Sequence, residues 1–202
     1  MKIAVVGAGA VGMLYAEKWV AAGHTVVLSY TRNPDRLPQK AAAIGASAAT
    51  PREAASVADV VLFCPPYECI DDAADQLGSV AGTVLIDTTN PFNPDRSGLV
   101  DLAEGETAFK AVARAIPGAR QVKAFHNLAV AQVTDAAVDR PVIFIAGDAE
   151  DARQVASRLV IDAGLTPVET GDLETARLSE APGPLFMTIM NAADANAALG
   201  GS

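Results

Sequence analysis

The sequence predicts an α/β fold, a doubly wound and mostly parallel sheet with a small C-terminal helical extension. Three observations carry that expectation. A short apolar run ending at Val6 passes straight into Gly7, Gly9 and Gly12. Beyond it, short apolar runs alternate with longer helical segments, as expected of parallel strands covered on both faces. At 202 residues one domain, 1–202, is the default, long enough to bury about 70% of its unfolded surface without a metal or disulfide.

Ile3 to Val6 reads as the first strand and Val11 to Ala22 as the first helix, stopped by Gly23. Between them the G-x-G-x-x-G spacing has a physical meaning. Gly7 turns the chain after the strand, Gly9 lets a pyrophosphate approach the backbone, and Gly12 lets the helix pack on the sheet. The free N–H groups at the helix start favour phosphate. Residues 7–12 (Gly7, Ala8, Gly9, Ala10, Val11, Gly12) are therefore candidate dinucleotide ligands, and the sheet is expected to be of the Rossmann type. His24 to Ser29 gives the next strand. An acid at its end would bind a ribose 2′-hydroxyl and repel a 2′-phosphate, but the chain has Ser29-Tyr30-Thr31-Arg32. Arg32 can pair with a phosphate bidentately and Thr31 can add a donor, which predicts NADP over NAD.

A helix near Asp35 to Ala43 and a short strand around Ala46 to Ala48 follow. Thr50 can cap, and Pro51 begin, a brief helix ending near Val57. Val60 to Phe63 is the fourth strand, Pro66 to Leu77 a helix with Asp71, Asp72 and Asp75 on its wet side, and Thr83 to Asp87 the fifth strand. The loops after strands four and five lie where open α/β sheets bind ligands. Cys64-Pro65-Pro66-Tyr67 is stiff and can bring an aromatic ring near a nicotinamide. Thr88-Thr89-Asn90-Pro91 offers Asn90 to a ribose or amide. Residues 93–106 read as a surface loop, with a lid as the alternative.

Thr107 to Ile116 reads as helix, and Val122 to Phe125 as a sixth strand ending at His126-Asn127. His126 can polarise a bound ring or donate a proton, or simply hydrogen-bond to backbone. Val142 to Ile145 and Thr166 to Glu169 add two strands around a helix from Ala149 to Ala163 capped by Gly164. Residues 173–202 are expected to be helical, split at Pro182-Gly183-Pro184. Leu185 to Met190 is apolar nearly all round, which predicts burial at a homodimer interface, with packing inside the chain as the competing expectation.

Fifteen Lys and Arg against 24 Asp and Glu give a formal net charge of −9, unfavourable for nucleic acid or an anionic membrane surface. The chain enters a core strand within two residues and has no apolar run of spanning length, so a cytoplasmic protein is expected. Cys64 and Cys69 are read as reduced thiols, and with only two histidines they predict no metal site.

Taken in order, Lys2 to Gly9, Gly23 to Arg32, Cys64 to Glu68, Ile86 to Pro91, Val122 to His126 and Ala176 to Glu180 resemble the NADPH-dependent deazaflavin (coenzyme F420) reductase family across the chain. More distantly they are similar to the cytosolic domain of membrane metalloreductases. The resemblance implies a Rossmann domain with a small C-terminal part, usually dimeric, passing hydride between NADP(H) and a deazaflavin or flavin. By position it implies that Gly7 to Gly12 hold the pyrophosphate, and Thr31 and Arg32 the 2′-phosphate. Cys64, Pro65, Pro66, Tyr67, Asn90, Ala124 and His126 would then line the nicotinamide end. Two departures stand out: the relatives tend to carry adjacent arginines where this chain has Thr31-Arg32, and a tryptophan where it has Tyr67.

Direct hydride transfer asks for placement rather than a catalytic side chain. A carbonyl or imine substrate would need an acid, for which His126 and Tyr67 are the candidates. The alternatives to a small-molecule redox acceptor are therefore a small-substrate dehydrogenase completed by dimerisation, or an NADP-binding sensor without turnover.

Overall fold

The computed structural model describes residues 1–135 and 138–200. Eight strands form one sheet: β1 (Lys2–Val6), β2 (Thr25–Ser29), β3 (Ser47–Ala48), β4 (Val60–Phe63), β5 (Val84–Asp87), β6 (Arg120–Lys123), β7 (Val142–Gly147) and β8 (Thr166–Gly171). Their order is β3-β2-β1-β4-β5-β6-β7-β8. The strands from β3 to β6 are parallel, β7 runs antiparallel to β6, and β8 is parallel to β7. The sheet is thus doubly wound and mostly parallel, as expected.

Alternation along the strands explains the two layers. Ile3, Val5, Val26, Leu28, Val60, Leu62 and Ile86 face α1 (Ala10–Ala21) and α7 (Glu150–Asp162), where Tyr15, Trp19 and Leu159 complete the core. Ala4, Val6, Val27, Val61, Phe63 and Leu85 face the opposite layer, with Ala54 of α3 (Pro51–Ser56), Ile70 and Leu77 of α4 (Ile70–Leu77) and Val112 of α5 (Ala108–Ala115). A strand with both faces covered reads as a continuous apolar run, which is why these strands stand where the sequence places them. Two further helices are α2 (Leu37–Ala43) and α6 (Val130–Thr134). The Thr50 cap forms as a complete capping box with Glu53, reciprocally satisfying two backbone donors.

Two expectations need correction. The sixth strand ends at Lys123 rather than Phe125, because Phe125 takes a φ of +59° and leaves the pleat. That turn packs the Phe125 ring against Tyr15 and Trp19, with centroids 4.4 and 5.5 Å away. The C-terminal segment is not a split helix. Leu173–Leu178 is a 3₁₀ turn, residues 179–191 are irregular, and only Ala192–Gly200 forms a helix, α8. Pro182 and Pro184 withhold backbone donors, and Met187 adopts a φ of +60°. Part of the apolar segment finds cover within the chain, since Leu185 and Ala195 pack on Val142, Phe144 and Val168 of β7 and β8, while Met187 and Ile189 stay exposed. The sheet is wide enough to have a face left for them.

Candidate active site

The connections reverse direction between β3 and β4, so β1 and β4 diverge into a crevice at their carboxyl ends, the usual ligand site of an open α/β sheet. A cleft of about 480 Å³ lies there, lined by the start of α1, Arg32, and the exits of β4, β5 and β6.

At the first turn, the Gly7 and Ala8 amides donate to the Ser29 and Tyr30 carbonyls, both at 3.0 Å, tying the exits of β1 and β2 together. Gly7 has a φ of +119°, and a Cβ on it would fall 2.5 Å from the Cys64 carbonyl oxygen. A Cβ on Gly12 would fall 2.1 Å from the Gly7 oxygen, whereas one on Gly9 meets nothing within 4 Å. Two glycines are therefore demanded by the protein itself, and the third opens onto free space at the head of α1. There the amides of Ala10, Val11 and Gly12, as first-turn residues, have no intrahelical acceptor. This space fits a pyrophosphate. Ala8 differs from the expectation in that its amide serves Tyr30 instead of facing the cleft.

At the β2 exit, Tyr30 has a φ of +55° and its hydroxyl donates to Asp72 at 2.6 Å, which raises its pKa beyond the ordinary tyrosine range through partial burial and the acceptor carboxylate. Thr31 is half-buried and Arg32 is exposed at the cleft rim. Arg32 makes no ion pair among the described residues.

Cys64, Pro65, Pro66 and Tyr67 line the cleft beyond β4. The Cys64 thiol donates to the Gly7 carbonyl at 3.0 Å, and burial pushes its pKa up to about 12, so it is a packing group and not a thiolate. Tyr67 is also shifted upward, by burial first. After β5 the structure departs from the expectation of a plain surface loop: Phe92, Asn93, Pro94, Asp95 and Arg96 form a wall of the cleft. Asn90 lines it too, but its amide is occupied. Nδ2 donates to the His126 carbonyl at 2.8 Å and Oδ1 accepts from the Ala181 amide at 2.9 Å. Pro91 turns away and lines a neighbouring cavity with Leu99, Arg177 and Pro182.

Beneath these loops lies a polar cluster that sequence reasoning missed. Lys123 is fully buried, its Nζ 3.0 Å from Asp87 Oδ2 and 3.3 Å from Glu180 Oε2, and it donates to the Thr89 carbonyl at 2.5 Å. Asp87 Oδ1 accepts from both the amide and hydroxyl of Thr89, and Oδ2 also accepts from Gln121. Glu180 accepts from the Ala108 amide that begins α5. Asp87 is saturated with donors, whereas burial holds the Glu180 carboxyl above its usual range. A lysine inside an apolar strand run, Val122-Lys123-Ala124, was the available signal: such a charge must be paired.

His126 is buried, with Nε2 2.9 Å from the Ser179 hydroxyl and Nδ1 without a hydrogen-bond partner. Burial, then the Lys123 ammonium, holds its pKa well below the ordinary histidine value. The ring is neutral at pH 7, unlike a proton donor poised to act. Ala124 is fully buried beside it. Asn127, also fully buried, extends the β6 edge with its side chain, donating to the Val142 carbonyl and accepting from the Phe144 amide.

Three comparisons bear on this site. Residues 2–91 match the family model described as NADP oxidoreductase coenzyme F420-dependent. The chain is 28% identical over 184 residues to Metalloreductase STEAP3 of Rattus norvegicus, a match spanning 89% of this chain and 36% of that protein. The chain thus spans about a third of the length of that relative. Among solved structures, it superposes with a TM-score of 0.81 on the hypothetical protein SMa0349 from Sinorhizobium meliloti, at 28% identity and covering 94% and 95% of the two chains. It superposes with a TM-score of 0.76 on a "putative f420 dependent nadp-reductase" from Arthrobacter sp. FB24, at 24% identity and covering 88% and 87%. No helix among the described residues is long and apolar enough to cross a membrane.

Proposed function

We propose that this chain is an NADP-dependent oxidoreductase that passes a hydride from NADPH to a deazaflavin or flavin-type acceptor, a reading supported by the family match over residues 2–91 and by the fold. The observation that carries this reading is the single cleft reaching from Arg32 after β2, across the head of α1, to His126 after β6. Four strand spacings separate those ends, about 19 Å, room for two nucleotides end to end.

In this reading Gly9 and the amides of Ala10, Val11 and Gly12 hold the pyrophosphate, while Thr31 and Arg32 hold the 2′-phosphate. Cys64, Pro65, Pro66 and Tyr67 shape one wall of the nicotinamide end and His126 the other, while Ala124, expected there too, is fully buried behind it. Tyr30 and Asn90 act on the cofactor indirectly, through the loops that they fix, and Pro91 turns Asn90 into place. A bound NADPH would supply the C4 hydride for the acceptor ring and become NADP⁺, with one proton from solvent completing the two-electron reduction. The protein's part is to stack the rings with reacting carbons roughly 3–3.5 Å apart. Neutral, buried His126 fits a wall group.

We further take residues 1–202 to work as one domain, in the cytoplasm and as a homodimer. Met187 and Ile189, 43% and 36% exposed, would supply apolar contact, and light scattering that returns a monomer at micromolar concentration would exclude the dimer. The cofactor assignment is tested by Arg32→Ala. Loss of a charge-assisted phosphate pair should weaken NADPH tenfold or more and NADH less than twofold, read as Kd by nicotinamide fluorescence. Equal effects on both would refute the phosphate role, and absence of NADPH oxidation with deazaflavin, flavin and ferric acceptors alike would refute the reductase.

A further inference from the structure

The cleft carries a guanidinium that the cofactor does not use, with the Glu68 and Asp95 carboxylates also in its lining. In the proposed reading the 2′-phosphate is met by Arg32 and the pyrophosphate by the head of α1, yet a second guanidinium, Arg96, lines the same cleft. Arg96 makes no ion pair among the described residues. The adjoining Asp95 carboxylate is engaged by the Ser97 amide at 3.0 Å.

The location of Arg96 separates it from the 2′-phosphate end. Its guanidinium stands 6.0 Å from the centroid of the Phe92 ring, and Phe92 lies 6.1 Å from Phe186. Phe92 follows β5, three strand spacings or about 14 Å from the β2 exit that carries Arg32. Arg96 therefore belongs to the aromatic end of the cleft, beside Phe186 and Met187.

The loop that presents it is constructed. Arg96 has a φ of +57°, sparsely populated by arginine and sustained here by its neighbours. Asn93 clasps Gly98 through backbone and side chain, at 3.0 and 3.2 Å, accepts the Arg96 amide at 2.9 Å and reaches the Ser97 hydroxyl at 3.2 Å. A bridge between Phe92 and Leu99 closes the loop at its base. The backbone thus fixes where the guanidinium starts, and the Phe92 face guides it.

We propose that Phe92, Phe186 and Arg96 form the acceptor subsite: the two phenyl rings, packed against each other, offer one apolar face to a planar redox ring, and Arg96 binds an anionic phosphate or carboxylate on its tail. This rests on the reductase reading and narrows its substrate to rings with a charged tail. Tail-less rings of the same chemistry are poor substrates.

Matched pairs test it. FMN and riboflavin share a ring and differ in the phosphate, and a deazaflavin can be supplied with and without its anionic tail. In anaerobic assays each two-electron step consumes one NADPH and one proton per flavin reduced. For the wild type, KM should be about tenfold lower for the tailed member of a pair. Arg96→Gln should raise that KM about tenfold, shift the tail-less KM less than twofold, and leave KM for NADPH within twofold. Equilibrium dialysis of all four flavins against the NADP⁺-loaded protein runs beside it. Tail-dependent binding lost in Arg96→Gln, without turnover, would keep the subsite and refute the reductase. Turnover indifferent to Arg96→Gln, an equal effect on both members of a pair, a rise confined to KM for NADPH, or no binding of any of the four overturns the subsite.

Discussion

The two ends of the cleft are built by different means. The pyrophosphate turn is largely local: Gly7, Gly9 and Gly12 act within six residues, and a Cβ on Gly12 is excluded by the Gly7 oxygen, while only the exclusion at Gly7 comes from a distant group, the Cys64 backbone. The opposite end is assembled from afar. Asn90 joins residues 36 and 91 positions away, His126 meets Ser179 across 53, and Ala108 is tied to Glu180 across 72. A locally encoded site survives as a spacing in sequence, whereas one held by distant clamps survives only as a folded object. The family match accordingly covers residues 2–91, which end just after Asn90.

The sharpest way to break the comparison is at Gly12. Gly12→Ala places a methyl 2.1 Å from the Gly7 oxygen, a backbone atom that cannot yield without moving the turn. We expect loss of detectable NADPH binding and a stability loss of about 1–3 kcal/mol, in the range of overpacking, read by titration and urea unfolding. Gly9→Ala, with open space around it, should fold normally and lose only affinity for NADPH. If the two variants behave alike, the glycines have no separate roles.

Next in size is the far end. Lys123→Met leaves Asp87 and Glu180 buried without their cation, which typically costs about 3–5 kcal/mol. Its functional effect should nonetheless be the smaller one: where the variant folds, Kd for NADPH should stay within a few-fold of wild type while kcat falls, because the clamp sets the β5 and β6 exits and not the head of α1. A larger rise in NADPH Kd than fall in kcat would contradict a division between the two ends.

That division also explains what the sequence made legible. The strands β1, β2, β4, β5 and β7 were recognisable because both faces are covered, so each apolar run had a single structural meaning. The Gly7 turn was legible because its three glycines stand at a fixed local spacing, and the Thr50 cap because its partner Glu53 lies three residues on. The segment after Ser179 was not, since an apolar run such as Leu185 to Met190 looks the same whether it coils into a helix or drapes over β7 and β8. The outcome was decided by Pro182, Pro184 and by partners as distant as Asn127, whose carbonyl accepts the Met187 amide at 2.8 Å. Asn90 was legible as a site residue but not in its role, because nothing local shows that both ends of its amide are taken. Lys123 was visible as an anomaly whose partners no spacing rule could name.

The gentlest test exploits charge. His126 is held neutral in the folded chain, its pKa well below 6.5, while in the unfolded chain it titrates near 6.5. Below that value the unfolded state binds more protons, so stability falls as pH drops from about 6.5 toward the folded pKa, by at most about 1.4 kcal/mol per pH unit. Glu180 works in the opposite sense. Its folded pKa is raised, so above about 4.5 the folded state holds the extra proton, and stability declines as pH rises toward the folded value. Because the two oppose each other in one window, Glu180→Gln should make the urea midpoint rise more steeply between pH 5 and 7, and His126→Asn should make it rise less or fall. Neither substitution touches the head of α1, so the pH dependence of NADPH Kd should match wild type in both variants, with His126→Asn adding at most a constant offset from the nicotinamide wall. A pH dependence of NADPH binding that disappears in His126→Asn would show that the two ends of the cleft are coupled after all.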